Sequence, residues 1–547
     1  MIDLFIRFKI IVMQVIQTII QQAAPNDSFE YLRNCIPSNA TDSVKVLCYR
    51  YSGDGGGGDF YWDNTSVEND NGGTIFISSG SANGRWKRLF SGALNVKWFG
   101  ALGDGGTNDS DAFQKAIDYL SSIGGGKLIL DDGIYRANFI IKNNVSIEGS
   151  SVGACIIKSV EGSNKDVILG EDFDNLASTA PWPAPPTLGC NNIQLRNLTI
   201  DGNKAKNTSG CGIKIWGRSF IWENIIVKNC ASDNIWTRYS THAYPEDSAN
   251  VEKYALESVF RGIKSLGSNK NSWLHHGPHD SKLYDFVSFM NAEYALKTEK
   301  GSNFSGGISG VGWNAWLNSN SYYIGSDFSV VDCVASGQNT GVGIELTNNP
   351  GTVSMIKFVV GGHETGAILR GANIEFIGQM LSIGPGSNPP AAAHSGVAIY
   401  YEQLYNANII LLATDIKNYI IEKGPGGGSW GAVSVKATCN TIGTAQVFNT
   451  FASLDTDTFD IQVVDHPEMC VFQLANTPIR TPSGNLAKLP NTTGEIMTDA
   501  SLPTLTQRGT VLLMPGQANS TATDVPTLLA DFNNLLTKLR AAGLLST

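Results

Sequence analysis

The feature that most constrains this chain is a repeat of short β-strands that runs from residue 126 to about residue 479. Each unit has a strand of alternating apolar and polar residues, a turn rich in Asn, Asp or Gly, and a second strand. Once loops are left out, the units recur every ~20–25 residues, which is typical of stacked solenoids. The clearest first strands are 220–227, 256–263, 282–289, 327–334 and 353–360. Because helical periodicity is nearly absent here, the pattern predicts an all-β body of stacked coils.

The segment before the repeats, residues 96–149, contains a glycine turn, a helix with apolar residues on one face, a second glycine turn and a Gly-x-Tyr strand. We expect Asp109 or Ser110 to cap the helix and Gly124 to follow its end. This order of elements resembles the start of the pectate-lyase superfamily of right-handed parallel β-helices, in the form carried by phage tailspikes and capsule depolymerases. The resemblance implies a right-handed β-helix downstream. It implies no catalytic residue in this segment, because in that family these positions cap the first coil.

Residues 44–94 are a set of short apolar strands around the glycine-rich loop 53–58. Neither a Gly-Lys-Ser/Thr motif nor a helix follows that loop, which argues against phosphate binding. The stretches 55–62, 71–74 and 84–88 resemble the small module that precedes the β-helix in phage tailspikes. This resemblance favours a phage protein over a secreted pectinase.

The two ends of the chain carry apolar segments that need a partner. Residues 1–24 are too short and too polar to span a bilayer and make a poor secretion signal. We expect them to form an amphipathic helix that packs on its copies in other subunits or on a neighbouring virion protein, namely a phage tail or baseplate protein, with a cryptic signal peptide as the alternative. A C-terminal helix capped by Thr523 or Asp524 has a broad apolar stripe, and a lone helix this short is marginal in water. Three copies meeting on a three-fold axis, as in tailspikes, would cover the stripe; docking onto the same chain is the alternative.

Together these segments predict the organisation of the chain. The fold class is all-β, a right-handed single-stranded parallel β-helix with a small N-terminal β module and a C-terminal α-helix, assembled as a homotrimer. We assign residues 1–43 to an N-terminal helix and attachment segment and 44–94 to the small β-rich module. Residues 95–480 form the polysaccharide-binding and catalytic β-helix, and 481–547 form a linker and trimerisation helix. The expected location is the virion tail, with action at the surface of a host bacterium.

The composition limits the partners. The chain has 547 residues, a net charge of −10 and only 16% charged residues. The negative charge argues against a nucleic-acid groove and against an anionic membrane surface, whereas an acidic polysaccharide stays open because a local patch decides its binding. The nine cysteines include no Cys-x-x-Cys pair. We therefore expect reduced cysteines that fill coil interiors rather than disulfides or zinc ligands, and we expect no cofactor.

Three insertions interrupt the repeats, at residues 170–189, 239–254 and 301–320. Loops of this length on a solenoid usually rise on one face and wall a groove. The third contains Trp313 and Trp316 among Gly, Asn and Ser residues. Exposed indole rings at these positions would stack on sugars. A hydrophobic contact with the solenoid or with a neighbouring subunit is the alternative.

The second strands of successive coils predict which side chains share a face. We align the segments 234–238, 273–277, 295–299, 343–347 and 367–370. This register places an aliphatic ladder inside the coil, formed by Ile235, Leu274, Leu296, Ile344 and Ile368. Alternation along each strand then sends one column outward, namely Trp236, His275, Lys297 and Glu345, with Arg238 and Glu299 in the next column. A slip of one residue would bury these charges.

Glu299 and Glu345 are the predicted catalytic pair. On adjacent coils, ~4.8 Å apart, they would stand diagonally at a separation suited to acid/base cleavage of a glycosidic bond. The other predicted site residues are His275 and Asp280 for proton transfer, and Lys297, Arg238, Trp236, Trp313 and Trp316 for substrate binding. The segment 275–280 contains three histidines and an aspartate, but ligands so close together across a Gly-Pro turn rarely converge on one ion. We therefore expect no metal site.

The motifs of two groups within the superfamily are absent. The chain lacks the Asn-Thr-Asp, Asp-Asp, Gly-His-Gly and Arg-Ile-Lys set of polygalacturonases and the aspartate cluster with arginine of calcium-dependent pectate lyases. By resemblance to tailspike depolymerases, we expect endo-hydrolysis of a bacterial capsular or exopolysaccharide. One alternative is a polysaccharide lyase, in which Lys297, Arg238 and His275 supply the base and the cation for β-elimination. The other is an adhesin that only holds the sugar.

Overall fold

The computed structural model describes residues 28–40, 42–174, 190–238, 258–278, 280–299, 307–337, 340–347, 352–384, 394–424 and 433–440. It also describes the backbone of residues 446–450, 458–463, 471–473, 479–480, 486–487 and 498–499. The predicted attachment helix, the predicted C-terminal helix and most of the first two insertions lie outside these residues. Within the described ranges, no helix combines the length and the apolar character that a bilayer crossing requires.

The N-terminal module is a four-stranded antiparallel sheet with one helix packed on it. Its elements are α1 (Ser28–Asn34), β1 (Ser43–Val46), β2 (Gly58–Asp63), β3 (Ile75–Phe76) and β4 (Arg85–Arg88), with strand order β1-β2-β4-β3. Phe29 of α1 stacks on Phe76 of β3 with 4.6 Å between ring centroids. Leu32 is fully buried in the same cluster. Helix α1, which the sequence assigned to the attachment segment, therefore shares the core of the module.

Arg88 connects this module to the start of the solenoid. Its side chain is buried, and its guanidinium donates to three backbone oxygens, those of Gly56 at 2.8 Å, Gly57 at 2.6 Å and Gly73 at 2.9 Å. The guanidinium carbon also lies 4.7 Å from the ring centroid of Trp98, which belongs to the 3-10 helix Val96–Phe99. The glycine-rich loop is thus a structural element held by an arginine.

We expect Arg88→Met to destabilise the N-terminal module by about 3 kcal/mol or more, because three buried carbonyls lose a donor at ~1–3 kcal/mol each. Hydrogen exchange of the β2 and β4 amides measures this loss. The exposed Lys45→Met is the matched control and should leave the exchange rates unchanged. Equal rates for Arg88→Met and the natural protein would contradict the structural role of Arg88.

The remaining elements are mostly short parallel strands. In chain order they are β5 (Leu94–Asn95), the 3-10 helix Val96–Phe99, β6 (Asp104–Asn108), α2 (Ser110–Ser122), β7 (Gly126–Leu130), β8 (Gly133–Arg136), β9 (Phe139–Ile141), β10 (Val145–Gly149), β11 (Cys155–Lys158), β12 (Ile168–Gly170), β13 (Gln194–Asp201), β14 (Ile213–Trp216), β15 (Ile221–Lys228), β16 (Ile235–Arg238), β17 (Val259–Leu266), β18 (Trp273–His276), β19 (Ser281–Tyr284), β20 (Val287–Phe289), β21 (Tyr294–Glu299), β22 (Ile308–Trp316), β23 (Asn320–Gly325), β24 (Phe328–Ser336), β25 (Val342–Leu346), β26 (Val353–Gly361), β27 (Thr365–Ile383), β28 (Val397–Ile416), β29 (Tyr419–Lys423), β30 (Val433–Asn440), β31 (Gln446–Thr450), β32 (Thr458–Val463), β33 (Val471–Gln473), β34 (Ile479–Arg480), β35 (Leu486–Ala487) and β36 (Thr498–Asp499). The last four pair antiparallel with their neighbours.

Two parallel sheets run along most of the stack. Sheet A contains β13, β15, β17, the consecutive short strands β19 and β20 of one coil, β22, β24, β26, the second halves of β27 and β28, and β30. Sheet B contains β14, β16, β18, β21, β23, β25, the first halves of β27 and β28, and β29. Each coil therefore supplies one strand, part of one or two short strands to each sheet. This pairing confirms the predicted all-β parallel solenoid with a small N-terminal β module, whereas the trimer and the C-terminal helix stay predictions.

Helix α2 covers the first coil, as predicted. Its buried face consists of Ala112, Phe113, Ala116, Ile117 and Leu120. Asp109 occupies the N-cap position, but its carboxylate accepts from the backbone N–H groups of Leu102 and Gly103, at 2.8 and 3.2 Å, instead of from the helix. Asp109 therefore ties the glycine turn to the helix.

The long strands of sheet A bend at residues in the left-handed backbone region. These residues are Asn197, Asn224, Gly262, Asp285, Gly312, Asp332 and Lys357. Glycine, Asn and Asp tolerate this conformation best, which explains most of the set. The strands change direction at these residues. Asp285 and Asp332 therefore recur at equivalent positions because Asp tolerates the left-handed backbone conformation.

No disulfide joins any two of the described cysteines. Six of them are buried in the solenoid, namely Cys155, Cys190, Cys211, Cys230, Cys333 and Cys439. Burial raises the pKa of the Cys155 and Cys190 thiols to about 12. These side chains are therefore unreactive fillers of the coil interior, as predicted.

Buried amides line the turns that lead from sheet A to sheet B. Asn234, Asn291 and Asn318 each lie in such a turn and are at most 2% exposed. The Asn291 side chain donates to Asn318 Oδ1 at 2.8 Å and accepts from Asn234 Nδ2 at 3.3 Å. These bonds connect coils through their turns and fix where the strands of sheet B begin.

Candidate functional site

The candidate site is the outward face of sheet B. One column of register partners contains Lys214, Trp236, Leu274, Lys297, Tyr323, Glu345, Ile368, Tyr400 and Glu422. The next column, two residues further along each strand, contains Trp216, Arg238, His276, Glu299, Gly325, Arg370 and Glu402. With neighbouring strands ~4.8 Å apart, nine strands give a face ~38 Å long. This face is long enough for several sugar residues.

The register of β18 differs from the predicted one by one residue. Trp273 is the partner of Ile235, and Leu274 is the partner of Trp236. Both Trp273 and Leu274 are apolar, so the sequence allows the alternation to start at either. The interior accepts the larger ring because it packs 4.8 Å from Phe260. Leu274 therefore leaves the predicted interior ladder and faces outward.

His275 is consequently inside the coil and not on the face. Its ring is fully buried, and its Nδ1 lies 2.9 Å from Thr237 Oγ1. Burial lowers the pKa of His275 to about 3, so the imidazole stays neutral. The prediction of His275 as a proton-transfer group for substrate, or as a base or cation in elimination, is wrong. His276 takes the outward position instead.

The two predicted carboxylates lie on the face but not on adjacent coils. Glu299 belongs to β21 and Glu345 to β25, and strand β23 lies between them. The composition of 301–320 favours an insertion, and the predicted repeat lacks the strand that follows it, although the Ser-Tyr-Tyr-Ile run of that strand favours a β conformation. Tyr323 of that strand therefore stands between Lys297 and Glu345. Two coils (~9.6 Å) and two residues along the strand (~6.8 Å) together separate the carboxylate-bearing backbones by ~12 Å.

Ile368 is a second register difference. It pairs with Glu345 and belongs to the outward column, whereas its neighbours Ala367 and Leu369 point into the core. Ile368 packs in a small outer cluster with Tyr400. Because Ala367, Ile368 and Leu369 are all apolar, the sequence shows no alternation of apolar and polar residues here that would predict which of them points inward. Of the predicted interior ladder, Ile235, Leu296 and Ile344 are fully buried in the core.

Glu299 is held by two donors. His276 Nε2 lies 2.8 Å from its Oε2, and Lys297 Nζ lies 2.7 Å from its Oε1. The hydrogen bond from His276, together with Lys297, lowers the pKa of Glu299 to about 2, against the opposing effect of partial burial. Glu299 is therefore an ionised carboxylate throughout the neutral and mildly acidic range.

Glu345 is held by different partners. The Tyr294 hydroxyl donates to its Oε2 at 2.9 Å, and Arg370 Nη1 lies 3.8 Å from its Oε1. Arg370 is shared with Glu402, whose Oε1 accepts from Nε at 2.6 Å. Desolvation and the neighbouring Glu345 carboxylate raise the pKa of Tyr294, which keeps this phenol protonated. Sequence reasoning missed His276, Tyr294, Tyr323 and Arg370, because each depends on the true register or on the overlooked strand.

A second polar cluster lies on the face near Glu422. The His394 ring stacks on Tyr400 with 3.5 Å between centroids, and His394 Nδ1 lies 3.1 Å from Glu422 Oε2. The Tyr400 hydroxyl donates to Glu402 Oε2 at 3.0 Å. This cluster continues the chain of polar contacts from Glu345 through Arg370, so the polar surface extends over at least four coils.

The predicted tryptophans have different locations. Trp313 lies on β22, is fully buried and donates to the Leu283 carbonyl at 2.7 Å. Its prediction as a sugar-stacking residue is wrong, because segment 308–316 is a strand and its alternation turns this indole inward. Trp316 is 49% exposed but lies on sheet A beside Phe289, away from the site face. Trp236 is on the face, half-buried, with its ring 5.1 Å from Phe173.

Asp280 is not on the site face. It lies in the turn between β18 and β19, with a positive φ, at the edge of sheet A. His279 falls outside the described residues. Among the residues that are described, no three His, Cys, Asp or Glu side chains are grouped so as to hold a metal ion.

Two protein families match separate parts of the chain. Residues 26–91 match the phage tail protein small four-stranded β-sheet domain, and residues 93–230 match the rhamnogalacturonase A/epimerase, pectate lyase-like family. A mannuronan C5-epimerase of Azotobacter vinelandii is 38% identical over 127 residues, which are 21% of this chain and 11% of that protein. The capsid fiber protein of Bacillus phage B103 is 65% identical over 40 residues, which are 7% of this chain and 14% of the relative. The chain thus matches well under a fifth of the length of either relative.

Among solved structures, a tailspike protein of the Acinetobacter baumannii bacteriophage Fri1, described as a capsular polysaccharide depolymerase, is similar at a TM-score of 0.44. The two share 14% sequence identity, and the likeness covers 84% of this chain and 80% of the tailspike. The resemblance predicted from the sequence is confirmed by the two family models: residues 26–91 are similar to a phage-tail small β-sheet domain, and residues 93–230 are similar to the pectate-lyase-like family.

Proposed function

We propose that this protein is a phage tail enzyme that binds a bacterial surface polysaccharide along the outward face of sheet B and cleaves it internally. The match to a phage tail domain supports a place in the virion tail, attached to a tail or baseplate protein through the N-terminus. The epimerase and pectate-lyase-like matches support a polysaccharide as substrate. Assembly as a homotrimer is part of the same proposal.

The reaction that the geometry supports best is hydrolysis with inversion. The observation that carries it is the pair Glu299 and Glu345, two coils apart and held by separate partners. Inverting glycosidases place their carboxyls ~6.5–9.5 Å apart to admit a water molecule, whereas retaining enzymes need ~5–5.5 Å. The two backbones are ~12 Å apart, so the side chains lean toward each other to reach the inverting separation, and the retaining separation would need a still closer approach.

The charges around Glu299 indicate its role, and Glu345 is assigned the remaining one. Glu299, kept ionised by His276 and Lys297, removes a proton from the attacking water as general base. The water oxygen bonds to the anomeric carbon while the bond to the leaving oxygen breaks. Glu345 then acts as general acid and donates a proton to that oxygen. Tyr294 and Arg370 position Glu345.

Elimination is the second candidate. The observation in its favour is the close grouping of Lys297, Arg370 and two phenols, which provides cations for a uronate carboxylate. A phenolate base is needed for the proton abstraction. Burial and nearby carboxylates raise the pKa of Tyr294 and Tyr323, which disfavours that base at neutral pH. Hydrolysis is therefore the proposed reaction.

A single assay separates the candidates. Purified capsular polysaccharides from a bacterial strain panel are incubated with the protein, and reducing ends are followed together with the ultraviolet absorbance of unsaturated uronates. New reducing ends without absorbance, with inverted anomers in the NMR spectrum, are the expected result. Both signals together mean elimination. Binding without either signal means an adhesin.

The pH profile tests the environment of Glu299. Its pKa is depressed in the folded protein, so the natural enzyme should keep its base ionised on the acid side until about pH 2. In Lys297→Met and His276→Leu the pKa of Glu299 should rise toward its usual value of 4.5, and the acid limb of kcat/KM should move to higher pH. Lys127→Met, which removes an ion pair with Glu148 away from the site, is the control. An unmoved acid limb in both site variants would contradict Glu299 as the base.

A further inference from the structure

An apolar stripe runs along the outward face of sheet A, on the side of the coil away from the interior. It is one column of register partners on six successive coils, namely Tyr284, Val311, Val331, Ile356, Ile377 and Ile410. Val311 is 43% exposed and Ile410 is 40% exposed, and the other four are half-buried. With strands ~4.8 Å apart, the stripe is ~24 Å long and parallel to the direction in which the coils stack.

The strands themselves do not require apolar residues in this column. The three preceding coils place Arg196, Glu223 and Arg261 there, and these side chains form ion pairs with one another. The coil after Ile410 places Lys436 in the same column. The neighbouring outward column, two residues earlier on each strand, is polar on the six coils of the stripe: Lys282, Ser309, Ser329, Ser354, Glu375 and Asn408. The apolar residues are therefore confined to one column and to these coils, although charged residues fit the same strand position.

The shape of the stripe restricts what can cover it. A contiguous exposed apolar surface is typical of a binding surface, because a partner that removes it from water gains the hydrophobic free energy. This surface is straight, and its side chains repeat every ~4.8 Å. A partner that covers it from end to end must be elongated in the same direction. A second copy of this solenoid, parallel to the first, has the same length and the same spacing of apolar side chains.

The charges that border the stripe also favour a second copy. Lys282 and Glu375 lie in the polar column, and Asp285, Asp332 and Lys357 directly follow stripe residues at the bend of their strands. All five are exposed. The chain as a whole has a net charge of −10, so two copies repel each other over much of their surface. A border that carries both signs is complementary to itself, whereas a strongly acidic or strongly basic partner would meet charges of its own sign.

We propose that the apolar stripe is the contact between copies in the homotrimer, with three stripes meeting on a three-fold axis parallel to the solenoids. Each stripe residue then lies opposite its equivalents in the other two copies. This inference rests on the trimer of the proposed function but not on the proposed reaction. Because the site face belongs to sheet B, the central contact leaves that face open to a polysaccharide, and each site consists of residues from one copy.

Site-directed cross-linking of the full chain tests the contact. Ile410→Cys places a thiol on the stripe, and a short bis-maleimide is added to the dilute protein. We expect covalently linked pairs of chains on a denaturing gel, because equivalent thiols meet at the axis. Ile140→Cys is the matched control, since Ile140 is also 40% exposed but lies on β9, away from the stripe. It should give no more linked chains than the natural protein, whose own thiols set the background.

Charge substitution tests whether the contact holds the copies together. In the double variant Val331→Glu and Ile377→Glu the strands should still form, because Glu223 occupies the same column. Its carboxylates would meet at the axis, so sedimentation equilibrium should show association at least tenfold weaker than in the natural protein. Ile140→Glu should leave association unchanged.

The outcomes separate this inference from the proposed enzyme. Absence of linked pairs in Ile410→Cys, a monomeric natural protein, or unchanged association in the double glutamate variant would each overturn the contact. Polysaccharide cleavage by a protein that gives one of these results would leave the proposed reaction intact. Linked trimers that cleave no polysaccharide would overturn only the proposed enzyme.

Discussion

Glu299→Gln is expected to lower kcat on a cleavable polysaccharide by at least about a hundredfold, because a positioned general base contributes ~10²–10⁴ to the rate. The amide keeps the size of the side chain and still contacts Lys297 and His276, so binding should change little. Glu345→Gln should produce a loss of similar size, since it removes the proton donor. Cleavage rates and binding constants, measured on the same polysaccharide, separate the two effects.

Glu223→Gln is the matched control for both variants. Glu223 is 28% exposed and paired with Arg196 at 2.6 Å, so it resembles the site carboxylates in exposure and pairing but lies on sheet A. The double variant at positions 299 and 345 should lose little more than either single variant, because residues that act as one unit are not additive. Unchanged cleavage by Glu299→Gln would refute the proposed site, while loss in the control as well would indicate a damaged fold.

The general architecture follows from local patterns in the sequence, and the residue register does not. Strands and turns recur at a spacing that is typical of a solenoid. The residues that form the α2 cap are contiguous in the sequence, so local patterns are enough to predict it. The choice between Trp273 and Leu274 as the interior residue depends on the volume that Phe260 leaves in the neighbouring coil. Such volumes are set by tertiary packing, which a single strand does not contain.

The site illustrates the same limit. Glu299, Glu345, Lys297, Arg238 and Trp236 lie on one face, as the alternation in their own strands indicates. The residues that neighbour them on the next coils can be predicted only if every coil is recognised. Because strand β23 was not predicted, Glu299 and Glu345 were expected one coil closer together than they are. Trp313 was misassigned for a related reason, because its segment reads as a loop by composition yet pairs as a strand with β24. Errors therefore occurred where long-range pairing decides the outcome.

Asn291→Leu is expected to cost about 3–5 kcal/mol of stability, because it leaves several buried polar groups without partners at ~1–3 kcal/mol each. Asn291 Oδ1 accepts from the backbone N–H and the hydroxyl of Ser268, both at 2.8 Å. Its Nδ2 donates to Asn318 Oδ1 at 2.8 Å and to Ser288 Oγ at 3.0 Å. Leucine has the branched shape of Asn, although it is larger, and satisfies none of these groups. The thermal unfolding midpoint measures the loss.

The consequence for function arises from where Asn291 lies. Its turn immediately precedes β21, which carries Lys297 and Glu299, so loss of the amide network should loosen the start of that strand and displace the base. Hydrogen exchange should accelerate first in β21 and in its partners β18 and β23, and cleavage should fall before the protein unfolds globally. Asn408→Leu, on the exposed face of β28, should change stability by no more than about 0.5 kcal/mol. If Asn291→Leu left exchange in β21 unchanged, the turn amides would not be what fixes the active face.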